Sequence, residues 1–366
     1  MLTALRGPQF SSYPGDDVGW LLEDLSDLAL ERDTASREAA IQAGAEHYSE
    51  SLPVEYEPSP AYIEAYETAL AANATRVAAL VGSLAAQILD AHTEPVIVSL
   101  ARAGVPVGVL LRRWMRRFAG VDAPHFAISI IRDKGIDERA LGLLLEHYDA
   151  NQLRFVDGWT GKGTIADTLT TAISEFVAEN PAAARLTPGL AVLSDPLHVA
   201  ELRASDDDLL IPSALLNATV SGLVTRTVYL RDRISAGSLH GAKFLEGMAP
   251  ADRSRDFLES IESQFIATAQ RPDARVYPEG HAAAVISELQ ERYSVADRNR
   301  VKPGIGETTR VLLRRVPRIV IVRPDRAASL AHVRALAMER GVPIVEDPTL
   351  HFACVGVIAD IGGSEA

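Results

Sequence analysis

Apolar residues along the chain follow two periodicities, and their alternation predicts an α/β protein. Short apolar, β-branched runs are typical of strands that are buried on both faces, whereas apolar residues three and four positions apart predict helices. Strands that alternate with helices in this way favour a parallel sheet with helices on its faces. The predicted strands are 95–100, 125–131, 153–157 and 189–195, and the predicted helices are 61–92, 109–118, 137–148 and 165–178.

The two ends of the chain show different patterns. Leucines at helical spacing predict a helical N-terminal region over 16–46, and the proline-rich segment 51–60 predicts a loop. Residues 268–305 are polar and contain prolines, which indicates a linker with one helix. We therefore predict a main domain over 1–267, followed by this linker and a small C-terminal α/β domain over 306–366. The elements predicted for the small domain are strands 318–324, 342–347 and 352–358 and a helix over 329–341.

Charge and composition limit the classes of function. The formal net charge is −13, so a site for RNA or phosphate has to be a local basic patch on an acidic protein. Cys354 is the single cysteine, which excludes an intramolecular disulfide and a cysteine-rich zinc site. The chain shows no signal-peptide core near its start and no run of about 18 apolar residues. We therefore expect a cytoplasmic protein without a membrane partner.

The segment LRFVDGWTGKGT, residues 153–164, is the most informative motif. A strand ends at an acid, Asp157, and a glycine-rich turn leads into a helix, which is a typical anion site. The Walker A pattern fails because Gly163 follows Lys162 and Val156 stands six residues before it. The motif instead fits a sugar phosphate, with Asp157 on the ribose hydroxyls; the alternative is a βα turn that happens to be rich in glycine. The residues predicted to wrap the phosphate are Thr160, Gly161, Lys162, Gly163 and Thr164.

Several motifs together resemble a known family. The segments VSLARAGVPVGVLLRR, ISIIRDKGID, FVDGWTGKG, LIPSALLNATVSGLVTRTV and HGAKF resemble the phosphoribosyltransferase-like proteins of tellurium-resistance and stress-response operons. Such proteins carry a C-terminal Pelota-type, L7Ae-like RNA-binding domain, and related proteins also bear the label cysteine protease StiP. The resemblance implies a type I phosphoribosyltransferase-like sheet whose loop at 157–164 binds phosphoribosyl pyrophosphate. One departure is Gly158, which stands where a second acid is usual. It implies weaker catalysis or a different sugar pose, unless another acid such as Asp195 or Asp137 compensates.

The resemblance also implies roles for other residues. Arg102 would bind the leaving pyrophosphate, and Arg132 and Lys134 would lie on a mobile catalytic loop that closes over it. Together with Asp157, these are the predicted catalytic residues. Mg²⁺ would be held mainly by the pyrophosphate, without a metal cage made of protein ligands. The alternatives are a tight βα turn for the first loop and a solvated charged turn for the second. The predicted pyrophosphate loop is Ala101, Arg102, Ala103 and Gly104.

Three further features complete the prediction. By position, an acceptor pocket would contain Trp159, Asp195, His198, His240 and Lys243. The alternatives are a structural role for the histidines, plain loop residues at 240 and 243, and a Trp159 that is buried under a neighbouring helix. The basic run 308–318, with Lys302, Arg323, Arg326 and Arg334, predicts an RNA-binding patch, although a solvated face is the alternative. Cys354 lies in an apolar strand-like run and is expected to be a core residue, not the nucleophile that a cysteine protease needs.

The predicted function is a magnesium-dependent glycosyltransferase. It would move a phosphoribosyl group from phosphoribosyl pyrophosphate, or a similar sugar phosphate, to an unknown acceptor, in the biosynthesis of a stress-response ribonucleoside. Two alternatives remain from the sequence. One is a non-catalytic regulator that binds phosphoribosyl pyrophosphate or a nucleotide and is coupled to RNA binding. The other is a nucleosidase or phosphoribohydrolase with water as the acceptor. The expected partners are a sugar phosphate, RNA and a second copy in a homo-oligomer.

Overall fold

The main sheet of the protein is parallel and lies near the centre of the chain's fold. A computed structural model describes residues 2–32, 47–92, 94–235, 237–267, 277–278 and 280–360. The strand order is β1-β6-β5-β8-β9-β10, all paired in parallel, and β7 pairs antiparallel with β6. The strands are β1 Gly19–Trp20, β5 Val96–Ala101, β6 His125–Ile131, β7 Gly135–Ile136, β8 Leu153–Val156, β9 Leu190–Val192 and β10 Leu202–Arg203. Outside this sheet, β2 (Glu23–Asp24) pairs with β11 (Gly241–Ala242), and β3 (Glu31–Arg32) pairs with β4 (Leu52–Pro53).

Helices cover both faces of this sheet, because its central strands are apolar on both sides. On one face Ile97 belongs to a core formed with α1, α2 and α6, and on the other Val96 and Val98 pack with α3 and α4. The predicted α/β class with a parallel sheet is confirmed. The helices are α1 Pro60–Ala91, α2 Val105–Trp114, α3 Glu138–Leu145, α4 Thr164–Glu179, α5 Arg231–Ser235 and α6 Ser254–Glu262.

The N-terminal region is not helical over the part that the structure describes. Residues 16–32 form turns and short strands, and the rest of the predicted helix, 33–46, lies outside the described residues. The leucine spacing is misleading because Trp20, Leu21 and Leu22 are all buried, so successive side chains point into different cores. β1 joins the sheet edge instead, and Leu21 N donates a hydrogen bond of 2.9 Å to Ala127 O.

Helix α1 is the one described helix that is long and apolar enough to cross a membrane by length and composition. It starts at Pro60 after the N-cap Ser59, whose hydroxyl accepts a hydrogen bond from Tyr62 N at 3.3 Å. Val77, Val81 and Leu84 are fully buried, in a core shared with α2 and α6. Its apolar character is therefore accounted for by packing inside the protein.

A second, four-stranded sheet forms the C-terminal part of the structure. Its order is β12-β15-β13-β14, in which only β13 and β14 are parallel. The helix at 281–292 packs on this sheet, since Ile286 and Leu289 share a core with Phe352. Residues before 306 thus contribute to the C-terminal core. The elements are α7 His281–Arg292, β12 Val301–Pro303, α8 Ile305–Arg314, β13 Pro317–Val322, α9 Ala331–Glu339, β14 Ile344–Glu346 and β15 Cys354–Ile358.

A carboxylate from the main domain joins the two sheets. Asp208 follows β10, and its Oδ1 accepts a hydrogen bond of 2.9 Å from Ile305 N, the first residue of α8. Its Oδ2 accepts a second hydrogen bond, of 2.8 Å, from Ala353 N. Because helix starts leave N–H groups without intrahelical acceptors, Asp208 supplies from another domain what a local N-cap usually supplies.

Candidate anion-binding cavity between the domains

A cavity of about 600 Å³ lies between the two parts of the structure. Its inner wall is made by residues at the carboxyl ends of β5, β6 and β8, where parallel sheets usually bind ligands. Its outer wall comes from the C-terminal domain, including residues of β12 and α8. The volume is in the range of small-molecule sites.

The glycine-rich loop forms one side of this cavity. Thr160 N donates to Ser194 O at 3.0 Å, which ties the loop to the next strand, and Thr160 Oγ1 donates to Asp195 Oδ1 at 2.5 Å. Gly163 has a φ of 87°, a left-handed conformation that favours glycine, and it turns the chain into α4. No side chain caps this helix, and the backbone N–H groups of 161–165 have no acceptor among the described residues.

The second predicted loop, 101–104, lies beside the first. Ala101, Arg102 and Ala103 line the cavity, whereas Gly104 lies beneath it. A Cβ at Gly104 would lie 2.2 Å from Val156 O, so only glycine allows the two strand ends to approach this closely. The fold therefore brings together the two loops that the sequence singled out.

Positive charges outnumber negative charges among the described residues of the cavity wall. The acids are Asp157 and Glu307, against six cations. Burial raises the pKa of Asp157 to about 7, so this carboxyl is partly protonated near neutral pH. Burial and the neighbouring Lys302 and Arg298 lower the pKa of Lys162 to about 8. The cations are Arg102, Arg132, Lys162, Lys302, Arg310 and Arg315.

Several of these cations already have partners. Arg102 Nη1 forms an ion pair of 2.9 Å with Glu55 Oε1 and donates to Val224 O at 3.2 Å. Arg310 forms an ion pair of 2.8 Å with Glu307, and its guanidinium lies 4.9 Å from the centre of the Trp159 ring. Burial lowers the pKa of Lys302.

Lys302 differs from these cations, because its ammonium has no hydrogen-bond or ion-pair partner within the described part of the chain.

Contacts between the domains run through the glycine-rich loop and through Arg132, which follows β6. Lys162 Nζ donates to Arg298 O at 2.7 Å, and Arg298 Nη2 donates back to Lys162 O at 3.1 Å. Arg132 Nη1 donates to Asn299 Oδ1 at 3.0 Å. The loop is thus in contact with the C-terminal domain at the edge of the cavity.

Besides Gly104, five predicted site residues lie outside the cavity wall. The ammonium of Lys134 lies 5.2 Å from the centre of the Tyr229 ring. Lys243 Nζ forms an ion pair of 2.7 Å with Glu31. Of the predicted acceptor pocket, only Trp159 lines the cavity. The residues outside are Lys134, Asp195, His198, His240 and Lys243.

The remaining three of these residues have structural contacts. Asp195 accepts hydrogen bonds from Thr160 Oγ1 and, at 2.7 Å, from Ala200 N, so it holds the loop from below. His198 Nε2 lies 3.0 Å from Asp206 Oδ1. His240 N donates to Asp137 Oδ2 at 2.6 Å, while Asp137 Oδ1 caps α3. Neither Asp195 nor Asp137 therefore lies where it can replace the acid that is missing at 158.

Sequence reasoning did not identify the C-terminal wall of the cavity. Glu307 and Arg310 lie one turn apart on α8 and face Trp159 and the loop. Glu55, which neutralises Arg102, comes from the proline-rich segment that was predicted only as a loop. The sequence predicts the basic run containing Arg310 only as an RNA-binding patch, whereas residues 308–314 of it belong to helix α8 in the structure.

Two segments of the chain match known protein families, and one relative is similar over nearly the whole chain. Residues 11–262 match the model of the family described as tellurite-like stress resistance cysteine protease StiP. Residues 281–360 match the PELOTA RNA binding domain. The protein named Cysteine protease StiP from Acinetobacter baylyi (strain ATCC 33305 / BD413 / ADP1) is 33% identical over 372 residues, which cover 96% of this chain and 94% of that protein.

These matches correct the predicted function. The family and the relative are both named as cysteine proteases, so the prediction of a magnesium-dependent phosphoribosyltransferase is wrong. The site agrees with this correction, because Arg102 is already neutralised by Glu55 and Asp157 stands without a second acid beside it. The predicted resemblance to a stress-resistance family and to a Pelota RNA-binding segment is confirmed by these matches, whereas the Pelota-like fold of that segment stays a prediction.

Proposed function

The chain belongs to the StiP family of tellurite-like stress resistance proteins, and on that premise we propose that it is an RNA-binding protein whose interdomain cavity holds a phosphate of the bound RNA. The observation that carries this proposal is the cationic wall of the cavity. Six cations face two acids there, although the whole chain has a formal net charge of −13. A local excess of this kind is the usual signature of a phosphate-binding surface.

The RNA-binding match and the cavity support each other. Lys302 and Arg310 belong to the segment that matches the RNA-binding domain, and both line the cavity. RNA that is held by this domain therefore has cavity cations within the same surface. Lys302 is the side chain of greatest interest, since its ammonium forms no ion pair with any described residue.

We predict that Lys302→Glu weakens RNA binding by about tenfold, because it removes a cation and places an anion in the cavity. Fluorescence anisotropy of a labelled single-stranded RNA with the full chain measures this. The matched control is Arg255→Glu on α6, which changes the net charge equally at a side chain that is 73% exposed and lies outside the cavity wall. The control should change the affinity by less than about twofold. Equal losses in both variants would show that only total charge matters.

Cysteine proteolysis, the activity in the relatives' names, is a second candidate. The matched segment 11–262 contains no cysteine, so the only possible thiol nucleophile is Cys354. Cys354 is fully buried at the start of β15, and burial raises the pKa of its thiol well above the usual value. A cysteine nucleophile needs a lowered pKa and access to substrate. The geometry therefore favours a family member that does not use a thiol for proteolysis.

An assay with fluorogenic peptides and casein separates the two candidates. We expect no cleavage that is sensitive to iodoacetamide, and Cys354→Ala should behave as the unmodified protein does. The control is papain in the same buffer, to show that the assay detects thiol proteolysis. Hydrolysis that both iodoacetamide and Cys354→Ala abolish would restore the protease as the leading function.

Other sequence-based expectations remain predictions. The described residues contain no group of three or more His, Cys, Asp or Glu side chains that could hold a metal ion. A Mg²⁺ ion at this site would therefore be carried mainly by ligand phosphates, with Asp157 and Glu307 as the nearest carboxylates of the wall. The type I phosphoribosyltransferase-like form of the sheet, a sugar phosphate as ligand, the homo-oligomer and the cytoplasmic location also stay predictions.

A further inference from the structure

We infer that the cavity binds the terminal phosphate of an RNA strand, as opposed to a phosphate within the strand. This inference rests on the proposed RNA binding and names the group that enters the site. Three features carry it: the origin of the cations, the contacts that close the cavity and the balance of charge.

The cations come from both domains. Arg102, Arg132 and Lys162 belong to the segment that matches the StiP family, and Lys302 and Arg310 belong to the RNA-binding segment. A phosphate in the cavity therefore contacts the two domains together. The main domain then becomes part of the RNA-binding surface, which the match to the C-terminal segment alone does not imply.

Hydrogen bonds join the two domains at two places on the cavity wall. At one, Lys162 and Arg132 bind the turn at 298–299. At the other, Arg310 Nε donates to Ala214 O at 3.0 Å, beside the Asp208 contacts. A strand that ran through the cavity would have to pass between the domains and break these contacts. A strand end can enter without breaking them.

The charge balance favours a terminal phosphate. Six cations face Asp157 and Glu307 on the wall, and Glu55 and Asp133 pair with two of these cations from outside it, so the formal excess is at most two. The raised pKa of Asp157 lowers the negative contribution further near pH 7. A phosphate monoester carries about −1.5 to −2 charges near neutral pH, more than the single charge of an internal diester. The electrostatic attraction to this wall is therefore stronger for a terminal phosphate than for an internal one.

Recognition at this site should not depend strongly on the base. The guanidinium of Arg310 already lies over the Trp159 ring, at 4.9 Å from its centre, so one face of the indole is occupied. Contacts of the cavity's arginine and lysine side chains with phosphate oxygens position a strand without reading its sequence.

The test uses the full chain and one RNA sequence of about 12 nucleotides. The RNA is prepared with a 5′-phosphate, with a 3′-phosphate and with hydroxyls at both ends, and each form competes against a labelled RNA in fluorescence anisotropy. We expect one of the phosphorylated forms to bind about tenfold more tightly than the hydroxyl form. Lys302→Glu and the milder Lys302→Gln should reduce this preference to less than about threefold, while Arg255→Glu keeps it. AMP with its phosphate at the same position as in the preferred RNA form (5′-AMP or 3′-AMP) offers that phosphate without a strand, and it should compete at least about a hundredfold more weakly.

The outcomes are distinct. Equal affinity for all three RNA forms overturns the terminal-phosphate inference and leaves RNA binding intact. A preference that survives both Lys302 variants overturns the assignment of the cavity as the site. Competition by AMP as strong as that of the RNA shows a site for free nucleotides, which also overturns the inference. If no RNA binds in any form, the proposed function fails and the inference fails with it.

Discussion

Replacing Asp208 with alanine will lower the free energy of unfolding by about 2 to 3 kcal/mol. Asp208 accepts hydrogen bonds from Ile305 N and Ala353 N at 2.9 and 2.8 Å, and both of these residues are buried. Without the carboxylate, two backbone donors lose their acceptor, and α8 loses the group that caps its start. Urea unfolding followed by circular dichroism at pH 8 measures the effect, because burial raises the pKa of Asp208 only to about 6 and the carboxylate is ionised there.

The neighbouring residue provides the control for this prediction. Asp207 forms ion pairs with Arg76 at 2.6 Å and Arg326 at 3.1 Å, but its side chain is 43% exposed. Exposed ion pairs contribute little, so Asp207→Ala should cost less than about 1 kcal/mol. Both changes remove one negative charge next to the same domain joint. If the two variants unfolded at the same urea concentration, the role of Asp208 as a cap across the domains would be wrong.

RNA affinity will fall by about tenfold as the pH rises from 7 to 9 at constant ionic strength. The pKa of Asp157 is raised to about 7, so this carboxyl loses its proton in that interval and adds a negative charge to the cavity. The pKa of Lys162 is lowered to about 8, so its positive charge is also lost on the way to pH 9. Both changes make the cavity more negative, so both weaken the binding of a phosphate. The second pKa of a phosphate monoester is about 6, so the ligand's own charge is nearly constant above pH 7.

Asp157→Asn tests which group is responsible. The amide has the shape of the carboxyl but cannot ionise. The RNA affinity of the variant should therefore still fall near pH 8 but no longer fall near pH 7. Because the raised pKa of Asp157 means that ionisation is unfavourable in the folded state, the same variant should also be more stable above pH 7, by about 1 kcal/mol. Affinity that does not change with pH in the unmodified protein would argue against a phosphate beside these two residues.

The elements of the main sheet were predictable because their patterns are local. The apolar run 125–131 is β6 with the same bounds, and the long helix predicted over 61–92 is α1, Pro60–Ala91. Both are buried where the pattern requires it, so the periodicity of the side chains alone identifies them. The leucine spacing over 16–32 is misleading, because the buried residues of this segment pack into three different cores and its backbone hydrogen bonds go to β6 and β11.

Helix α8 is not predicted from the sequence, for a different physical reason. Thr308 and Thr309 lie fully buried on its inner face, where a periodicity search expects apolar residues. Thr309 Oγ1 is satisfied inside the helix, because it donates to Ile305 O at 2.7 Å. A polar side chain whose hydrogen bond is made within the helix costs little free energy to bury. In the sequence, however, it interrupts the apolar periodicity by which a buried helix face is recognised.

Half of the candidate site was visible in the sequence and half was not. The loop at 157–164 and the turn at 101–104 follow strands, and a parallel sheet necessarily gathers such loops at one edge. The wall formed by the C-terminal domain depends on contacts such as that between Lys162 and Arg298, which are 136 residues apart. Nothing in a local pattern specifies a contact over that distance, and the Arg102–Glu55 ion pair is equally non-local.

The contact between Trp159 and Arg310 has a consequence for spectroscopy. Of the three tryptophans, Trp20 and Trp114 are buried inside the main domain, whereas Trp159 carries a guanidinium of the C-terminal domain 4.9 Å from its ring centre. A cation over an indole changes the energy of its excited state, so the emission of this residue depends on how the two domains are docked. The protein thus contains its own optical probe at the joint, and domain motion can be followed in real time without a label.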